Sequence, residues 1–249
     1  MIDFLMISTR SKKNGLIEIY PKFIIKKSSD LMIRGGDFYA IWIEERGLWS
    51  TDEQDALQLI DRELDRYAEE NRNRFDSNVK VLHMWDSESG MIDSWHKYCQ
   101  KQMRDSFHML DEKLIFSNTP TNKKDYASKR LGYPLEAGET PAYDKLMSTL
   151  YEEEERRKIE WAIGSIISGE SKKLQKFMVL YGAAGTGKST VLNIIQQLFE
   201  GYYSVFDAKA LGSSSNAFAL EAFKDNPLVA IQHDGDLSKI EDNTRLNSL

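Results

Sequence analysis

The chain of 249 residues contains one cysteine, Cys99, so no disulfide can form within it. A reducing, cytoplasmic setting is the expectation that follows. No apolar run approaches the about 18 residues that a membrane-spanning helix requires, which leaves a chain with no expected membrane contact. The apolar start, Met1 to Ile7, is too short and wrongly flanked for a secretory leader. Four histidines, His83, His96, His108 and His233, are scattered and have no cysteine partners at zinc-site spacing, so no structural zinc is expected. Acidic residues outnumber basic ones, 39 to 33, and the net charge of −6 argues against a broad duplex-binding face. The first 36 residues depart from this balance. Arg10, Lys12, Lys13, Lys22, Lys26, Lys27 and Arg34 there outnumber Asp3, Glu18 and Asp30. Either they form a basic face for a polyanion or they are solvated charges on strand surfaces, and the second reading is the simpler.

Hydrophobic residues make up 41% of the chain, enough for one large or two small globular cores. Residues 1–50 read as a β-rich basic region. Leu16 to Tyr20 forms one strand closed by Pro21, and Phe23 to Ile25 follows it. The runs Leu31–Arg34 and Phe38–Ile43 flank Gly35-Gly36-Asp37 as a hairpin. Residues 51–170 read as mainly helical. The spacing of Leu57, Ile60, Leu64 and Tyr67 predicts a helix over 52–74, with Thr51 as its cap and Gln54 completing a capping box. Val79 to Leu82 is ambiguous. Ile92, Trp95, Cys99, Met103, Ser106 and Leu110 share one face of a helix over 91–110, which makes Cys99 a core residue and not a nucleophile. Between Ser117 and Asp144 periodicity fades and Pro120, Pro134 and Pro141 cluster, as in an extended polar connection. Residues 141–168 read as one helix. Its run Glu152 to Lys158 has acids ahead of bases, as on a solvated face braced by i,i+4 pairs.

The most informative stretch begins at Lys176. An apolar run, Phe177-Met178-Val179-Leu180-Tyr181, predicts a strand. Gly182-Ala183-Ala184-Gly185-Thr186-Gly187-Lys188-Ser189-Thr190 follows, and then Val191, Leu192, Ile194, Ile195, Leu198 and Phe199 at helical spacing. Gly182, Gly187, Lys188 and Ser189 occupy every fixed position of the phosphate-loop pattern G-x-x-x-x-G-K-[ST]. Glycines let successive N–H groups turn inward, and the helix start adds its positive end. Lys188 reaches the terminal phosphates, and the Ser189 hydroxyl is a ligand for Mg²⁺. Tyr202 to Phe206 predicts a strand, Ala217 to Phe223 a short helix, and Pro227 to Ile231 an apolar strand running into Gln232-His233-Asp234-Gly235-Asp236. A carboxylate at such a strand end is what a triphosphate–metal site requires, so Asp234 and Asp236 are candidates for polarising water or holding Mg²⁺ through a water. Asp-Gly-Asp is equally turn chemistry.

Taken together, the phosphate loop and the acidic strand end that closely follows it resemble superfamily 3 helicases. The preceding stretches, Phe38-Tyr39-Ala40-Ile41-Trp42, Gly47-Leu48-Trp49, Asp52-Glu53, and Phe116-Ser117-Asn118 leading to Leu135, resemble the phage, plasmid and poxvirus primase-helicase family. The resemblance covers about residues 30–249. It implies an α/β chain: a mixed α+β N-terminal region, a helical linker domain to about residue 170, and a partial P-loop ATPase domain over 171–249 with an AAA+-like parallel sheet. It further implies ATP and Mg²⁺ as cofactors, with Gly182, Ala183, Ala184, Gly185, Thr186, Gly187, Lys188, Ser189 and Thr190 around the phosphates. Lys188 and Asp234 would be the catalytic pair and Ser189 and Asp234 the metal ligands. Single-stranded or forked DNA would be the partner, a homo-hexamer the working assembly, and the host cytoplasm the site of action for a phage-encoded chain. The first acid of the family's strand-end pair falls on His233, which leaves the roles of Asp234 and Asp236 open, since Mg²⁺ prefers oxygen ligands. The chain ends at Leu249, soon after Asp234, so the resemblance implies an ATPase cut short, with a separate C-terminal polypeptide as a possible complement. Two other readings stand beside this one: a P-loop protein of another class, such as a kinase or loader-type ATPase, and a non-catalytic interaction module.

Overall fold

A computed structural model describes residues 2–24, 27–35, 38–75, 78–86, 89–101, 108–174, 176–211, 220–224 and 226–233. The architecture is mixed α+β, with small sheets and several helices. It divides into two compact units, Met1–Leu110 with Pro120–Ser128, and Asp111–Thr119 with Lys129–Leu249. The expected boundaries near residues 50 and 170 are not where the chain divides. The strands before residue 50 and the helices after it bury their apolar faces in one shared core.

In the first unit, β1 (Leu5–Ser11) pairs antiparallel with β2 (Ile17–Phe23). A second sheet contains β3 (Leu31–Gly35), β4 (Phe38–Ile43) and β5 (Leu48–Ser50), all antiparallel. β2 is a single strand that runs through Pro21, where two were expected. Pro21 sits opposite Ile7 on β1. The other neighbour of β2, β6 (Val79–Val81, parallel), covers only Ile17 to Ile19, so the missing proline N–H breaks no ladder on that side. The same pairing resolves Val79 to Val81 as a strand.

The period-two geometry of β3 and β4 divides their side chains between two clusters. Leu31, Ile33, Ile41 and Ile43 face the main core, together with Phe4, Ile19, Leu57, Ile60, Leu64 and Trp95. Met32, Ala40, Trp42 and Trp49 face the other way, and Leu110 and Tyr126 pack against them. Residues 120–128 therefore roof a sheet that is buried on both sides. Trp49 fixes that roof twice: its backbone N–H donates to Ala127 O at 2.8 Å and its indole N–H to Lys123 O at 2.9 Å.

Helix α1 (Glu53–Glu70) starts one residue later than expected. Asp52, not Thr51, is its cap, with a carboxylate oxygen accepting from Gln54 N–H at 2.9 Å. Arg46 grips Asp55 in the first turn through two bonds of 2.6 and 2.9 Å. Helix α2 (Met91–Lys101) buries Trp95, Tyr98 and Cys99. It does not extend to Leu110, because residues 108–110 are not helical and Leu110 instead packs on the tryptophan cluster.

In the second unit the connection after Asp111 runs as two extended segments bonded side by side, with Leu131 N–H on Ile115 O at 2.7 Å and Ser117 N–H on Tyr133 O at 3.1 Å. The single helix expected over 141–168 is two, α3 (Pro141–Leu150) and α4 (Glu153–Ile167). The chain is extended at Tyr151, and Glu155 folds back onto the Glu152 N–H at 3.4 Å to start the second helix. Three acids in the first turn of α4 favour a helix beginning there. Arg157–Glu153 and Lys158–Glu154 form the expected i,i+4 pairs on the exposed face. After the short α5 (Ser171–Leu174) comes α6 (Lys188–Leu198), which buries Val191 and Ile195 against Met147, Ile159, Phe199 and Tyr202. β7 (Tyr203–Val205) is followed by a single turn, α7 (Ala208–Leu211), and pairs parallel with β8 (Val229–Ile231). The helix expected over 217–223 is a 3₁₀ turn at Glu221–Phe223, and residues 217–219 lie outside the described residues.

Candidate functional site

The phosphate-loop pattern sits at the entrance to α6. Gly182, Gly185 and Gly187 have φ of 155, 79 and 82°, values that side-chain-bearing residues rarely adopt. These turns bring the loop round on itself. Thr186 Oγ1 donates to Ala183 O at 3.0 Å, and the Lys188 ammonium lies 3.0 Å from Gly182 O, 2.6 Å from Ala183 O and 3.3 Å from Thr186 Oγ1. Lys188 thus closes the loop as a ring, its charge held at the centre by backbone oxygens.

The donors are more telling than the acceptors. Among the described residues, no backbone N–H from Ala183 to Thr190 bonds to a protein acceptor; the first N–H engaged is that of Val191, on Gly187 O at 3.1 Å. The loop and the first turn of α6 present a continuous series of free donors, on residues that are exposed or half-buried. A helix start carries about half a positive charge. Free donors, dipole and ammonium together match a phosphate chain. The Ser189 hydroxyl is exposed and bonds to no described residue, so its oxygen is open to a hard cation.

The run ahead of the loop departs from expectation. Lys176 to Tyr181 is not a strand, because no backbone hydrogen bond joins it to any described residue. Phe177 is 76% exposed, Val179 57% and Tyr181 98%. Leu180 alone packs against the core. A strand exists only with a neighbour to share its ladder, and none of the described residues supplies one.

β8 is present and ends at Ile231. Gln232 turns its side chain onto the Ala208 N–H at 3.1 Å, and His233 is exposed. Asp234 and Asp236 lie outside the described residues. Among the described residues, no three metal-ligating side chains lie together.

Elsewhere, two residues of the basic N-terminal stretch are paired within it. Arg10 and Lys12 both bridge to Glu18, whose carboxyl the Arg10 guanidinium holds below the usual range. Arg10 also lies 5.2 Å from the centre of the Tyr20 ring. Cys99 is buried, and burial pushes its thiol from 9.0 up to about 12, which suits a core residue and disables a nucleophile. The sequence marks Leu150 as an apolar position of the helix that starts at Pro141 but carries no signal of its approach to the loop at Gly187.

No family model, curated protein or solved structure matches the chain. Among the described residues, no helix is long and apolar enough to cross a membrane.

Proposed function

We propose that the second unit binds ATP with Mg²⁺ and that the chain works as the ATP-binding part of a DNA helicase of the superfamily 3 type, acting on single-stranded or forked DNA. The observation that supports this reading most is the uninterrupted series of free N–H donors from Ala183 to Thr190 around the Lys188 ammonium. In this reading the loop donors bind the phosphates, and Lys188 leaves its backbone acceptors for the phosphate oxygens. Ser189 would hold the metal, and bound Mg²⁺ would supply charge neutralisation at the phosphates. Asp234 would either polarise the attacking water or hold the metal through a water. The resemblance adds a homo-hexameric assembly.

A second reading has its own support. Lys176 to Tyr181 is rich in β-formers and apolar, yet its backbone bonds to none of the described residues. Continuous apolar runs of this kind are typical of central strands in parallel sheets covered on both faces. An ATPase sheet to which a separate polypeptide adds strands would cover this run.

Titration calorimetry with ATP and Mg²⁺ tests the site. Lys188→Ala removes a charge-assisted contact, so affinity should fall by about 10- to 100-fold, using about 1.5–3 kcal/mol for such a bond. Equal affinity in the two proteins would overturn the assignment. ATP turnover stimulated by single-stranded DNA separates the helicase from other P-loop classes.

A further inference from the structure

Helix α3 ends against the phosphate loop. A Cβ built on Gly187 would stand 2.8 Å from Leu150 Cδ1, 2.9 Å from Cδ2 and 3.2 Å from Cγ. Contacts under 3.0 Å do not occur between real side-chain carbons, so the isobutyl group of Leu150 fills the space that any other residue at 187 would claim. Gly187 is also the residue that turns the loop into α6, with φ of 82°. Glycine is required there by backbone conformation, and a Cβ would in addition push aside the end of the Leu150 side chain.

Leu150 is placed by its own support. It closes α3, and the chain turns away at Tyr151 into α4. Arg156 on α4 ties the two helices together. It bonds Asp144 on α3 and Glu160 on α4, and its guanidinium carbon lies 5.5 Å from the centre of the Tyr143 ring on α3. The side chains on either side of Leu150 in the fold, Met147 and Tyr151, pack in or against the core, whereas Leu150 is half-buried and stands outside that cluster.

We propose that Leu150 is a positioning residue for the phosphate loop. Its side chain presses on Gly187 and holds the loop-to-helix turn, so that the N–H groups of Lys188, Ser189 and Thr190 stay aligned on one ligand. This inference rests on the reading of the loop as a nucleotide site. It adds that the α3–α4 hairpin, which carries no residue of the phosphate-loop pattern, sets the quality of that site. The ligand class is the polyphosphate moiety: ATP, ADP and inorganic pyrophosphate depend on Leu150 alike.

The test is calorimetric titration of the full chain with MgATP and with Mg-pyrophosphate, alongside thermal unfolding. Absence of binding by the unaltered protein removes the nucleotide reading itself. Given binding, Leu150→Ala should weaken both ligands by about tenfold, the size of a coupling of about 1.4 kcal/mol, and Leu150→Met should restore most of the loss. A purely structural role would lower the unfolding temperature and leave the affinity of the folded protein unchanged, which would overturn the proposal.

Discussion

Every strand in the first unit has a neighbour, and the sheet β3–β4–β5 is covered on both faces. In the second unit the apolar run next to the phosphate loop has no neighbour among the described residues, and most of its side chains face water. Both stretches are equally apolar in sequence. The difference lies in what the rest of the chain brings to them. β4 receives β3, β5 and the roof of residues 120–128, whereas Lys176 to Tyr181 receives only the contact of Leu180. Composition prepares a strand, and partners make it. Among the described residues, the strands of the first unit are paired, and the run ahead of the loop in the second is not.

The sharpest way to break this contrast is to remove Trp95. It is fully buried, donates its indole N–H to Tyr39 Oη at 3.2 Å, and packs on Phe4, Phe23, Tyr39 and Tyr98. Trp95→Ala should cost about 3–5 kcal/mol. Denaturant unfolding should show the first unit melting early, while ATP affinity in the second stays at its original value. A parallel loss of affinity would show that the units are not energetically separate.

A smaller effect comes with alkali. The Cys99 thiol rises from 9.0 to about 12 on burial in the folded chain, so the folded state keeps its proton where the unfolded state loses it. Stability is full below pH 9 and falls as pH rises toward 12, at up to about 1.4 kcal/mol per pH unit. Tyr39, also raised by burial, adds to the fall above about pH 10, where unfolded tyrosine ionises. Tyr202, Tyr133, Tyr143 and Tyr151, likewise raised by burial, contribute over the same range, so Cys99→Ala should lessen the fall between pH 9 and 10 and leave the tyrosine part in place. The smallest effect is local: Asp52→Ala removes the cap of α1 and should cost about 1 kcal/mol, read as a shift in the denaturant midpoint of the first unit alone.

Local chemistry was legible in the sequence wherever neighbours in the chain decide the outcome. The i,i+3 and i,i+4 spacing of Leu57, Ile60 and Leu64 marked α1, paired glycines marked the β3–β4 hairpin, and Gly182 to Gly187 marked a glycine-turned loop at the start of α6. Wherever distant partners decide, the reading failed. Pro21 looked like a strand end because the short reach of β6 was invisible. The helix over 141–168 looked continuous because Tyr151 breaks it for packing, not propensity, with Met147 and Ile159 reaching one core from two helices. Lys176 to Tyr181 looked like a strand for the same reason in reverse. Leu150 was legible only as an apolar helix position, since its significance is a distance to Gly187 and not a residue type.

The open run ahead of the phosphate loop also bears on how the protein behaves in quantity. An extended apolar segment with an unsatisfied backbone is a template for any other strand, including the same segment of a second molecule. Lys176 at its head is the one charge within it, and Gly182 interrupts it at the tail. Lys176→Ala is therefore expected to lower the concentration at which the protein self-associates, read by light scattering.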